Sequence, residues 1–422
     1  MSVQCRPTPA RAASTRRRLV VIGNGMAAMR TLEELLELAP QAYDITVFAA
    51  EPRDTYNRIL LSGVLAGDRR AEEIVTHPPD WFERHGIVLH RGDAVVRIDR
   101  GTRTVRSRLG VVAPYDRLLI ATGSTAAVLP VPGNDLPGVL TFRDLQDVDA
   151  MLAAAGQWRR VVVIGGGLLG LEAATGLARQ GMQVSVVHLT DILMDRQLDA
   201  HAAGLLRQDL EGRGLKFCMN AETVAILGTD RVTGVKLADE RELPCDLVVM
   251  ATGIRPNIAL AKAAGLRCDR GILVDDTLLS FDPAIYAVGE CVQHRATTYG
   301  LVAPLWDQAR VCAAHLAERG VRRYAGSRVA TQLKVSGIKV FSAGDFSERV
   351  GRESLVLHDA KRGIYKRLII EDGRVRGAVL YGETADGAWY FDLMNEGRKV
   401  DDLRDQLLFG RPEQAGLATA TQ

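Results

Sequence analysis

Between Gly289 and Ala309 the chain brings an acid, a thiol, an imidazole and an indole close together, as Glu290, Cys291, His294 and Trp306 in GECVQHRATTYGLVAPLWDQA. Side chains of these types serve metal ligation, thiol chemistry or the wall of a cofactor site. Metal ligation calls for Cys and His at short, repeated spacing. The six cysteines, at 5, 218, 245, 268, 291 and 312, form no C-x-x-C pair and no such cluster with histidine. Isolated thiols of this kind fit a reduced, cytoplasmic chain. Cys291 itself reads as a small buried hydrophobe.

The stronger chemical signal is glycine. GNGMAA, from Gly23 to Ala28, has the form G-x-G-x-x-A between an apolar run and a helical pattern. In such a turn Gly23 permits the tight bend and Gly25 lets a diphosphate approach the backbone, while the small Ala28 lets helix and strand pack closely. The helix N-terminus adds free N–H groups and the positive end of its dipole. GGGLLG repeats the pattern in full with Gly165, Gly167 and Gly170. One such turn fits any Gly-rich loop, but two in the same context point to two dinucleotides.

Elements must hold these turns. Residues 18–23 (RLVVIG) read as a buried parallel strand, 25–38 as an amphipathic helix and 43–48 as the next strand. The same order returns at 160–164, 168–179 and 183–188. Residues 94–105 alternate as an antiparallel pair would, and 115–122 and 245–252 are strands ending in Thr122-Gly123 and Thr252-Gly253. Pro- and Gly-rich stretches at 129–138 and 254–257 read as crossings between domains. After about residue 321 the pattern predicts strands at 333–341, 364–371 and 374–381 and a helix at 394–408. The expected fold class is α/β, with two Rossmann-like dinucleotide-binding domains, the first interrupted by the second, plus a C-terminal α+β domain.

Bulk properties exclude other classes. With 422 residues and 47% hydrophobic content, several cores are available. The 53 basic and 51 acidic side chains leave a net charge of +2 and form no basic stripe, so no nucleic-acid partner is expected. No run reaches the roughly 18 apolar residues of a membrane span, so no membrane association is expected either. Residues 1–18 (MSVQCRPTPARAASTRRR) are basic with no apolar centre and read as a disordered tail, with an organellar transit peptide as the alternative.

Five motifs in order, from Gly23 to Ala28, Ala121-Thr122-Gly123, Gly165 to Gly170 with Glu172, Ala251-Thr252-Gly253 and the DPAIYAVGE run ending at Glu290, resemble the two-dinucleotide-binding flavoprotein reductases. That resemblance, over roughly residues 18–410, implies FAD in the outer domain (18–128 and 249–322) and NADH or NADPH in the insert (129–248). A C-terminal domain at 323–410 and tails at 1–17 and 411–422 complete the expected division. It implies that Gly23, Gly25, Ala28, Arg58, Thr122, Gly123, Gly289 and Glu290 serve FAD, with Glu290 standing where the family usually has Asp. Gly165, Gly167 and Gly170 would serve the nicotinamide side, and Thr252 and Gly253, where the outer domain resumes, would also be cofactor-binding. Glu172 would lie near the nicotinamide and Trp306 at the start of a helix beneath the flavin pyrimidine ring, where a helix N-terminus stabilises negative charge. Each has a plainer reading: a helix-dipole acid for Glu172, a core residue for Trp306 and a surface ion pair for Arg58.

The strings VIGNGM, LMDRQLD (193–199), LKVSG (333–337) and FSAGD (341–345), together with GLVAPLW, are similar to one branch. These are the flavoprotein half of assimilatory NAD(P)H nitrite reductases and the electron-transfer subunits of assimilatory nitrate reductases. Such nitrite reductases continue into iron–sulfur and siroheme modules, whereas this sequence stops at Gln422, so a separate catalytic subunit is the expected acceptor. Tyr56 to Ser62 (YNRILLS) is followed by Gly63, where rubredoxin and ferredoxin reductases carry Lys. A reductase for those carriers, or a non-catalytic flavin-binding redox sensor, are the alternatives. Rossmann units often place an acid for the adenosine ribose at the end of the second strand. Glu51 is the nearest for FAD, and the second unit has His188, which equally fits a partly exposed core residue. With no Arg before Arg196, NADH is expected over NADPH. A homo-oligomer is left open.

Overall fold

The computed structural model describes residues 16–333 and 337–411. Most of the expected tails, and Lys334 to Ser336 of the LKVSG string, lie outside the described residues. Two compact units form. Of the described residues, the first gathers 16–56, 75–124 and 256–326, and the second 57–74, 125–255, 327–333 and 337–411.

The centre of the first unit is a five-stranded parallel sheet, ordered Ile285–Ala287, Arg117–Ile120, Arg17–Ile22, Tyr43–Ala49, Val88–Arg91. Leu19, Val21, Leu118, Leu119 and Ile120 are wholly buried, which explains why the strands read as continuous apolar runs. Each such side chain is worth roughly 1.5–3 kcal/mol on burial. Helices Met26–Leu38 and Val302–Leu316 belong to the same core, through Met29, Leu32 and Leu35 on one and Leu305, Val311 and Leu316 on the other.

The second unit repeats the plan: Val139–Thr141, Leu247–Met250, Arg160–Ile164, Gln183–Val187, Lys216–Cys218, again all parallel. The repeat runs deeper than the glycines. In each unit a three-stranded antiparallel meander precedes the strand that ends in Thr-Gly: Val95–Asp99, Thr104–Ser107, Val112–Pro114 in the first and Thr223–Gly228, Val232–Leu237, Glu242–Pro244 in the second. At the opposite end of each central strand an arginine and an aspartate lock the same two strands. Arg18 donates to both carboxylate oxygens of Asp116, at 2.7–3.0 Å from its backbone and guanidinium nitrogens. Arg160 does the same to Asp246, with backbone N–H and Nη2 both at 2.9 Å.

This clamp makes a pH prediction. The Arg18 hydrogen bond holds the Asp116 carboxyl at about 2, below the usual carboxylate range. A folded-state value below the unfolded one means the stabilisation is complete at neutral pH and fades as pH falls from about 4 towards about 2. Asp116→Asn is therefore expected to lower unfolding stability at pH 7, with the gap from wild type closing across that acid window. Denaturant titrations at stepped pH check it, and a gap that stays constant with pH contradicts it.

Several sequence expectations are corrected. Residues 57–74 group with the second unit, because helix Leu61–Leu65 packs on helix Leu168–Arg179: a methyl at Gly176 would lie 2.8 Å from Leu65 Cγ, and Arg179 pairs with Asp68. The boundary expected at 248/249 falls inside strand Leu247–Met250, and the chain returns to the first unit at 256. Residues 129–138 are no crossing, since the Ile226 and Val232 N–H groups donate to the carbonyls of Pro132 and Pro137 within the second unit.

The strand expected at 333–341 is two, Ala330–Leu333 and Val340–Gly344, paired antiparallel. They join a sheet ordered Ala330–Leu333, Val340–Gly344, Arg374–Tyr381, Ile364–Glu371, Arg352–Asp359, whose last strand had no sequence expectation. The final helix runs Gly387–Glu396 and stops at Gly397 in the left-handed conformation, and short 3-10 turns replace the expected helix to 408. This sheet packs inside the second unit: Tyr365 Oη donates to Asp199 at 2.8 Å and Tyr381 Oη to Asp209 at 3.1 Å, both acids belonging to or capping helix Ala200–Gly212. No described helix is long and apolar enough to cross a membrane.

Candidate functional site: two glycine cradles

Both glycine turns sit at the carboxyl end of the central strand of their sheet, and both are built the same way. Gly23 has φ +108° and a Cβ there would lie 2.3 Å from the Ala121 carbonyl oxygen. Gly165 has φ +121° and the same clash, 2.3 Å, with the Ala251 carbonyl oxygen. Only glycine satisfies either position. Gly170 is as constrained, since its Cβ would fall 1.9 Å from the Gly165 carbonyl oxygen. Ala28 is buried in the corresponding place on the first helix.

Gly25 and Gly167 differ from these. Each is the N-cap of its helix, in extended backbone, with no side-chain cap, no acid in the first turn, and nothing within 4 Å of where a Cβ would stand. Helices Leu145–Ala155 and Ala200–Gly212, by contrast, are capped by Asp144 and Asp199. The two glycine helices thus begin with no side-chain cap and no first-turn acid, and with open space in front of the N-cap glycine. That is the geometry a diphosphate fits.

The two Thr-Gly turns also match. Thr122 Oγ1 donates to the Asn257 carbonyl at 2.7 Å while Asn257 N–H donates to the Gly123 carbonyl. Thr252 Oγ1 donates to the Ala127 carbonyl at 2.7 Å while Ala127 N–H donates to the Gly253 carbonyl. Both hydroxyl protons are thus committed to the segments by which the chain enters or leaves its unit. Gly123 (φ +64°) and Gly253 (φ +113°) supply the left-handed bend.

Around Glu290 the structure adds two residues that sequence reasoning missed. Ser124 Oγ donates to Glu290 Oε2 at 2.8 Å, and the buried Gln308 accepts the Gly289 N–H on its Oε1 at 2.8 Å. Neither had a local signal, because 166 and 19 residues separate the partners. Cys291 is fully buried, donates to the Val288 carbonyl, and burial pushes its thiol up to about 11, so it does not act as a nucleophile at neutral pH. His294 is buried against Tyr324, with Nε2 2.8 Å from Asp276. Among the described residues no group of three or more His, Cys, Asp or Glu could hold a metal.

The remaining candidates fall as follows. Glu51 accepts from Tyr56 Oη at 2.7 Å, within the first unit. Arg58 opens a short 3-10 turn grouped with the second unit, and its Nη1 donates to the Arg143 carbonyl at 3.0 Å. Glu172 is buried on the second glycine helix. Trp306 is half-buried and does not start a helix: the helix begins at Val302, behind an uncapped Leu301, so the indole lies a turn further in. His188 follows strand Gln183–Val187 and turns both ring nitrogens inward, with Nδ1 accepting the Gly166 N–H at 3.1 Å and Nε2 lying 3.0 Å from the Ile192 carbonyl.

Residues 17–319 match the family model described as pyridine nucleotide-disulphide oxidoreductase, and residues 330–398 match that of the rubredoxin NAD+ reductase C-terminal domain. The chain is 46% identical over 387 residues to a nitrite reductase [NAD(P)H] of Bacillus subtilis, covering 92% of this chain and 48% of that protein. It is 41% identical over 401 residues to the assimilatory nitrate reductase electron transfer subunit of the same organism, covering 95% and 52%. The chain therefore spans about half the length of these curated relatives. A crystal structure of a ferredoxin reductase from Rhodopseudomonas palustris superposes with a TM-score of 0.83 at 28% identity, covering 91% of this chain and 96% of that one.

Proposed function

Because the chain belongs to the pyridine nucleotide-disulphide oxidoreductase family, we propose that it is an FAD-dependent NAD(P)H oxidoreductase that passes electrons from NADH to a separate redox protein. The acceptor is a nitrate or nitrite reductase catalytic subunit. The observation that carries the reading is the duplicated cradle: two uncapped helix N-termini, each behind a glycine that leaves its front open, one in each unit. Identities of 46% and 41% to a nitrite reductase and a nitrate reductase electron transfer subunit support the choice of acceptor.

In the first unit the Gly23–Ala28 turn would hold the FAD diphosphate, Glu51 the adenosine ribose, and Glu290, fixed by Ser124, the ribityl or diphosphate region. Flavin, when bound, supplies the chemistry by accepting a hydride from reduced nicotinamide and releasing electrons onward. The protein's own work is to position and to tune charge. Helix Val302–Leu316 has no acid in its first turn and no side-chain cap, so its N-terminus favours negative charge placed before it. Gly165, Gly167 and Gly170 would hold the diphosphate of the nicotinamide nucleotide, with Glu172 near the nicotinamide. NADH is the donor, since the loop from His188 to Ile192 carries no Arg or Lys to clamp a 2′-phosphate. The protein acts in the cytoplasm.

Mixing the purified protein anaerobically with NADH or NADPH, then adding nitrate or nitrite reductase catalytic subunits, tests this. Faster reduction by NADH and onward transfer to either subunit is the expected result. Transfer only to rubredoxin or ferredoxin would favour the carrier-reductase reading, to which the match at residues 330–398 gives some weight. A flavin reduced slowly and without regard to any acceptor would favour a redox sensor.

A further inference from the structure

His188 stands where a Rossmann unit commonly has a ribose-binding acid, yet its ring is committed elsewhere. Gly166 N–H can only donate, so Nδ1 must carry a lone pair. The Ile192 carbonyl can only accept, so Nε2, which also lies 3.1 Å from Thr190 Oγ1, must carry the proton. The hydrogen-bond network therefore fixes one neutral tautomer. The ring also packs closely against the turn: a methyl at Gly166 would be 2.7 Å from His188 Cγ and 2.7 Å from Leu193 Cδ2. Met194 N–H closes the loop by donating to the Gly166 carbonyl at 3.0 Å.

We infer that His188 is a positioning residue that braces the Gly165–Gly167 turn through Gly166 and does not itself read the ribose. A side chain bonded to the middle residue of a three-glycine turn removes freedom that the glycines would otherwise keep. The turn is then set before the nucleotide arrives, so the entropy of ordering it does not weaken binding. The adjoining Leu189, two-thirds exposed, and the loop to Asp191 are left to meet the adenosine end.

The inference rests on the second unit being the nicotinamide-nucleotide unit, and two measurements separate the claims. The first is 15N NMR of histidine-labelled, FAD-loaded protein without nicotinamide nucleotide. It should show His188 protonated on Nε2 alone, and a ring protonated on Nδ1 would overturn the brace whatever the donor is.

The second compares His188→Ala and His188→Asn by steady-state kinetics with NADH. Asn carries its Oδ1 on Cγ as His carries Nδ1, so it can still accept from Gly166 but cannot reach Ile192. Losing one ordering hydrogen bond is worth up to about a factor of ten. His188→Ala should raise KM for NADH about tenfold with kcat little changed, and His188→Asn should recover most of it. Equal losses in both variants would mean that the Nε2 end contacts nucleotide, and no change in either would mean the turn needs no brace. Either result overturns the inference. A wild-type flavin that NADH does not reduce would instead defeat the assignment of function, and the tautomer would still decide the brace.

Discussion

Gly25→Glu is expected to give a folded protein that purifies without flavin. The backbone at Gly25, φ −75° and ψ 178°, suits any residue, and a Cβ there meets nothing within 4 Å. The fold therefore has no reason to object. The carboxylate would stand in front of the uncapped N-terminus of helix Met26–Leu38, where the FAD diphosphate is proposed to bind. It would satisfy the helix N–H groups itself and oppose the anion. Like charges in such a position cost several kcal/mol, and each 1.4 kcal/mol is a factor of ten, so FAD affinity should fall by more than about a hundredfold. Visible absorbance and circular dichroism check the loss of flavin and the retention of fold together. Gly23→Val would not be informative, because the 2.3 Å clash with the Ala121 carbonyl threatens folding itself.

Gly167→Glu should separate the two cofactors. Its backbone, φ −83° and ψ −177°, and its open front are nearly those of Gly25, so the same argument applies to helix Leu168–Arg179. The protein should stay yellow while KM for NADH rises by more than about a hundredfold. Stopped-flow mixing with NADH reads it directly. If Gly167→Glu is reduced normally and Gly25→Glu keeps flavin but no longer responds to NADH, the assignment of cofactors to units is reversed.

The cradles were legible in sequence because their chemistry is local. Gly23, Gly165 and Gly170 are required by contacts that strand–turn–helix geometry creates wherever it occurs, so spacing alone announces them. Burial on both faces made the central strands equally plain. What escaped was set by distant partners. Residues 57–74 follow the second unit because Leu65 fills the space over Gly176 and Asp68 meets Arg179, contacts across more than a hundred residues that leave no periodicity. Ser124 became a candidate only when folding set it beside Glu290.

Two errors had readable causes. Pro304 falls in the first turn of helix Val302–Leu316, where a missing N–H costs nothing, and so marked a start earlier than Trp306. Gly397 ends the last helix in the left-handed conformation, a stop signal that the apolar pattern beyond it obscured. Strand Arg352–Asp359 has no buried residue and pairs on one side only, so hydrophobic alternation could not reveal it. His188 shows the opposite case: its position suggested a ribose contact, and only its hydrogen bonds to Gly166 and Ile192 redirected it.

The central claim, that this chain carries FAD and reduces it with NADH, is tested most directly by anaerobic titration of the purified, FAD-loaded protein with NADH while its visible absorbance is followed. The oxidised flavin band is expected to bleach with about one equivalent of NADH. A protein that cannot be loaded with FAD, or a bound flavin that stays oxidised under excess NADH and NADPH, would contradict it.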